Sequence, residues 1–239
     1  MVIDKEYDLT GIYKDKILFT RKSDFLFAFY QDVASYIIQE LPEKTLKRWN
    51  FMRDIFGDIY SCPLILYIIR RAHKDEGSSG KCFGRHIICY ADDYSELDMP
   101  FIHEEAHMFA NLKWRRHTPF INEGLAEYIV AKTEKNLHFM HHEDNYIIPS
   151  RLYEDLACIN NMIFYSSSDE LQEYRKQGRF TYQMAGSLFF FIERQIGTER
   201  LSKLLSKPAQ NGYPRLYIEL HEWILKWFIW LSKTKEYII

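Results

Sequence analysis

Two histidines one helical turn apart, with a glutamate beside them, carry the most specific chemistry in the sequence. The stretch is His103-Glu104-Glu105-Ala106-His107, an HExxH pattern. In an α-helix a step of four residues turns about 400°, so His103 and His107 stand on one face. Their ring nitrogens can then reach one cation at about 2.0–2.1 Å each. Glu104 falls beside that face, within reach of a water on the metal. Phe101, Ile102, Ala106, Met108, Phe109 and Ala110 give the helix apolar surroundings, and a dry shell strengthens metal electrostatics. Five residues alone favour the metal over the alternative, a solvent-facing helix that carries two histidines and two glutamates.

A second segment changes that balance. Asn122-Glu123-Gly124-Leu125-Ala126-Glu127-Tyr128 follows in the order a third ligand requires. An asparagine at a helix start with a carboxylate beside it suits a ligand at Glu123. Glu127 lies one turn further on the same face, where it can accept the second ring N–H of a ligand histidine and fix its tautomer. Gly124 and Ala126 are small, so this helix is expected to pack tightly against the HExxH helix. The alternative is that Glu123 and Glu127 form a solvated face.

HEEAH followed by NEGLAEY resembles the gluzincins, the MA clan of zinc metallopeptidases that includes thermolysin and the aminopeptidase N group, and above all small bacterial peptidase MA-like domains. A later segment, Tyr182-Gln183-Met184-Ala185-Gly186-Ser187 running to Glu193, is also similar to that group. The resemblance covers roughly residues 24–233, and only the two metal motifs are specific. It implies His103, His107 and Glu123 as zinc ligands, Glu104 as general base, Glu127 and Asn122 as supports behind the ligands, and a peptide or protein as substrate. By position it offers Tyr182 as donor to the developing oxyanion, against the alternative of a core aromatic. His141 and His142 are further candidates, more simply read as surface residues. Gluzincins lay substrate along an edge strand, which here would be near His86 to Tyr90.

Two departures bear on this. The gap before Glu123 is a few residues shorter than in thermolysin, so the KWRRHTP connection must be compact. No GxMEN stretch is present, which argues against an N-terminal exopeptidase. Three protein ligands leave one position open for water, as in catalytic rather than structural zinc.

Positioning these groups needs a frame. Ser23 is a suitable N-cap for a helix from about Asp24 to Glu40, and Pro42 suits the start of another running from Glu43 to Phe56 and stopping at Gly57. Pro63–Arg71 and a segment centred on Ile87–Tyr90 read as strands, expected to pair antiparallel, with a polar turn between. Helices are expected at about Met99–Leu112, Phe120–Lys132, Tyr182–Ile196 and Leu216–Lys233, with Gly197 ending the third. Residues from about Thr133 to Gly178 read as polar and irregular. The expected fold is α+β and zincin-like: a small antiparallel sheet with the active-site helix, plus a helical C-terminal lobe. The lobes would divide at about residues 1–112 and 113–239, with zinc in the cleft.

Composition narrows the classes further. In 239 residues, 31 Lys plus Arg against 33 Asp plus Glu give a net charge of −2, too little field to coat a nucleic acid. The basic loop Lys113, Arg115, Arg116 and His117 either favours acidic substrates or is simply solvated. No apolar run of about 18 residues suits a membrane span. Trp223, Trp227 and Trp230 at helical spacing read as a core helix, with partner or membrane docking as the alternative. Cys62, Cys82, Cys89 and Cys158 form no CxxC pair and read as reduced thiols, a Cys82–Cys89 bridge on one hairpin being the alternative. With no basic and apolar leader at its start, the chain is expected in the cytoplasm. The leading function is a zinc metallopeptidase. A zinc-binding module without proteolysis and a metal-free helical interaction protein are the other classes. Oligomeric state is not legible.

Overall fold

A computed structural model describes residues 17–30, 33–59, 64–70, 80–90, 98–114, 117–133, 156–206, 209–210 and 213–234. Cys62, Arg115, Arg116, His141 and His142 lie outside the described residues. The chain divides into two compact units, residues 1–50 with 61–108, and residues 51–60 with 109–239.

The first unit is built on a sheet whose sequence is rich in β-branched and aromatic side chains. Strands β1 (Ile17–Lys22) and β2 (Phe25–Tyr30) form a hairpin whose two-residue turn, Ser23–Asp24, places Ser23 at φ 52°. The helix expected from Asp24 is therefore a strand: FLFAFY buries Phe25, Phe27 and Phe29 on one face, and Ser23 turns a hairpin instead of capping a helix. Helix α1 (Ser35–Phe56) begins later and continues through Pro42 as one element. Strands β3 (Ile65–Arg70), β4 (Gly80–Phe83) and β5 (His86–Tyr90) complete the sheet in the order β1-β2-β3-β5-β4. β2, β3 and β5 are parallel, whereas β1 and β4 pair antiparallel with their neighbours.

This mixed α/β sheet corrects two expectations. The antiparallel partner of β5 is β4, hidden in what reads as a polar turn, and β3 runs parallel to β5. Because β5 lies between β3 and β4, the edge on this side of the sheet is β4 and not the His86–Tyr90 segment, β1 forming the other edge. β3, an interior strand, buries Ile65 to Ile69 without alternation, as parallel strands covered on both faces do. Cys82 and Cys89 are not opposite each other, since Cys82 faces Ile87 and Cys89 faces Gly80; both are free thiols, as is Cys158.

Helix α2 (Asp98–Trp114) starts in the first unit and ends in the second. The second unit is helical: α3 (Pro119–Thr133), α4 (Leu156–Phe164), α5 (Ser168–Lys176), α6 (Tyr182–Ile196), α7 (Thr198–Leu205) and α8 (Arg215–Thr234), with a small hairpin of β6 (Ala209–Gln210) and β7 (Tyr213–Pro214) before α8. Two of these occupy the stretch read as irregular. α5 is very polar, yet Ser167 and Glu170 form a reciprocal capping box that starts it.

The central crossing is α3 on α6. A Cβ at Gly124 would lie 2.6 Å from the Ala185 carbonyl oxygen, and one at Gly186 would lie 3.0 Å from the Glu127 Cβ. Gly124 thus serves close approach to α6. α8 joins this core through Leu220, Ile224, Trp227 and Leu231, and the Trp227 indole donates to the Ser187 hydroxyl at 3.0 Å. Among the described residues no helix is long and apolar enough to cross a membrane.

Candidate metal centre

Helix α2 sets the two histidines as its pitch dictates. The His103 and His107 rings are 4.6 Å apart between centroids and nearly perpendicular, at 88°. Glu123, in the second turn of α3, joins them: one ligand atom from each of His103, His107 and Glu123 lies within 4.8 Å of the other two, and all three side chains are half-buried. Two imidazoles and a carboxylate form a His₂Glu donor set, one donor fewer than a four-coordinate zinc takes. The donor chemistry fits zinc.

Glu104 is buried, at 9% exposure. The edge strand lies against it, since a Cβ on Gly80 would stand 2.8 Å from the Glu104 Cγ and 3.1 Å from its Oε1. Cys89 points from β5 to the same side. Its burial, followed by the Glu104 and Glu105 charges, pushes the thiol well up, so it remains protonated.

The Asn122 side chain is engaged by the turn that precedes α3. It accepts from the His117 backbone N–H and donates to the His117 carbonyl, both at 3.0 Å, which ties down the entry to α3. His117 is not a solvated member of a basic loop. Burial holds its imidazole down to about 4, a hydrogen bond to the Trp114 backbone acting in the opposite sense. Lys113 donates to the Asp58 carbonyl at 2.6 Å, and burial lowers its affinity for a proton. Glu127 packs its Cβ over Gly186. The Tyr182 hydroxyl accepts from Gln172 at 3.0 Å and Arg175 at 3.3 Å, with the Arg175 guanidinium over its ring, so α5 holds it.

One group escapes the motif reading. Glu105, a wildcard position of HExxH, is fully buried and takes a two-pronged ion pair from Arg48 of α1, Nε to Oε2 at 2.5 Å and Nη2 to Oε1 at 2.7 Å. Thr45 and Tyr67 each donate to Oε1 at 3.2 Å, and Trp49 donates to the Tyr67 hydroxyl at 2.8 Å. Burial and the Glu105 charge raise the Tyr67 phenol well above its ordinary value, so the hydroxyl stays a donor. The available signal was a second glutamate on the apolar side of this helix, where a charge needs a partner.

Set against models of known protein families and against curated protein sequences, the chain matches none.

Proposed function

We propose that the chain is a zinc-dependent metallopeptidase of the gluzincin type. The observation that carries this reading is the convergence of His103, His107 and Glu123 ligand atoms within 4.8 Å, on helices that also carry Glu104. A zinc held there would supply Lewis-acid polarisation of the scissile carbonyl and acidify a water. Glu104, beside His103, takes the proton from the attacking water and passes it to the leaving amine. Its burial against the β4 backbone keeps that carboxylate in a water-poor setting, where proton transfer is better directed. An extended peptide laid along the β4 edge would pair its main chain beside Glu104.

The test has two measurements. Protein purified without added metal is assayed for zinc, and Glu104→Gln is compared with the wild-type chain on a peptide library. About one zinc per chain in both proteins, with cleavage only by the wild type, is the expected result. Absence of metal from the wild-type protein overturns the proposal.

One observation favours a second reading, a zinc-binding module that does not hydrolyse peptides. The hydroxyl offered as oxyanion donor, Tyr182, is held by Gln172 and Arg175 of α5. Full zinc content with no cleavage of any peptide by the wild type selects this reading.

A further inference from the structure

We infer that the buried Arg48–Glu105 pair is a positioning device that fixes the rotation of α2 and so aims His103 and His107. The inference rests on the metal-centre reading above. Successive helical residues step by about 100°, so Glu105 points about 160° away from each histidine while the two histidines lie about 40° apart. The residue opposite both proposed ligands is therefore the one that carries the network. Three side chains from two elements hold it, Thr45 and Arg48 from α1 and Tyr67 from β3, with Trp49 of α1 bonded in turn to the Tyr67 hydroxyl. Arg48 and Glu105 show side-chain exposures of 7% and 0%, so the fork is sealed from water.

Geometry explains why such a lock matters. With side chains a helix has a radius of about 5–6 Å, so a rotation of about 20° carries an imidazole tip through about 2 Å. Metal–ligand distances tolerate about 0.2 Å. Apolar packing holds a helix against its neighbours but permits slippage, because it has no preferred direction around the axis. A planar guanidinium on a carboxylate does have one. Replacing a buried ion pair by well-packed apolar residues is often neutral or stabilising, so stability alone is a poor explanation for this one. Fixing register is the best-attested use of such pairs.

The test uses the full chain, stripped of metal and titrated with cobalt(II) and with zinc against a competing chelator. The paired replacement Arg48→Met with Glu105→Leu removes the fork without stranding a charge. It is expected to melt within a few degrees of the wild type, to bind zinc roughly 10- to 100-fold more weakly, and to show altered cobalt ligand-field bands. Equal affinity and identical bands in a folded double variant overturn the inference. If that variant does not fold, Tyr67→Phe removes one hydrogen bond to Glu105. A several-fold loss of zinc affinity then supports positioning, whereas a lower melting temperature with unchanged affinity and spectrum overturns it. A wild-type chain that binds neither ion overturns the metal-centre reading itself, a result distinct from variants that bind as the wild type does.

Discussion

Gly80 and Glu104 approach so closely that a single methyl group on the glycine would stand 2.8 Å from the glutamate Cγ. The edge strand can lie over the proposed base only because position 80 has no side chain. Gly80→Ala must push Glu104 aside or lift β4. If Glu104 carries the proton, peptide cleavage falls by at least about tenfold in kcat, the cost of misplacing a general base, with zinc content unchanged. Steady-state kinetics with elemental analysis check this, and undiminished kcat would mean that Glu104 acts without the support of β4.

If the proposed centre holds zinc, removal of a proposed ligand acts on the metal directly. His107→Ala and Glu123→Ala each leave two protein donors, and both variants should retain far less zinc than the wild type after dialysis. Chelation of the wild-type protein should lower its melting temperature, because an ion that binds only the folded chain stabilises it. Zinc content equal to the wild type in both variants removes the assignment of these ligands.

The α3–α6 crossing gives a prediction independent of function. Gly124→Ala places a methyl group 2.6 Å from the Ala185 carbonyl oxygen, which is backbone and moves only with its helix. Overpacking of this kind costs about 1–3 kcal/mol. Urea denaturation should show a lower midpoint at unchanged slope.

His117 makes part of the stability acid-labile. Its ring is held down to about 4, against 6.5 in the unfolded chain. Between those values the unfolded chain takes up a proton that the folded ring refuses. The contribution is therefore complete above about pH 6.5 and is lost as the pH falls towards 4, with an upper size of about 3 kcal/mol. His117→Leu leaves the two Asn122 hydrogen bonds intact, since both go to the residue's backbone. Denaturation midpoints at pH 7 and pH 4.5 should fall further apart in the wild type than in this variant. Equal pH dependence would show that another group sets the acid limb.

The elements nearest the proposed chemistry were the most legible. α2, α3, α6 and α8 lie within two residues of where the sequence places them, and α6 stops at Gly197 as expected. The N-terminal sheet was not legible. FLFAFY is apolar throughout, so period alone cannot separate a buried strand from a helix, and the serine before it fits a turn as well as a cap. Parallel pairing of β3 and β5 depends on β4 filling the space between them in sequence, and GKCF carries little β signal. At the site, the shared face of His103 and His107 follows from helix geometry. The partners of Glu105 do not, since Arg48 and Tyr67 lie 57 and 38 residues away.

Position 105 also bears on how such chains are recognised. A motif written HExxH treats its third letter as free, yet in this protein exchanging that letter for leucine alone would leave the Arg48 guanidinium charged, dry and without its carboxylate. A pattern search would match the altered chain as readily as this one. The wildcard is thus a property of the notation, and in this fold the letter is constrained by an arginine in a different helix.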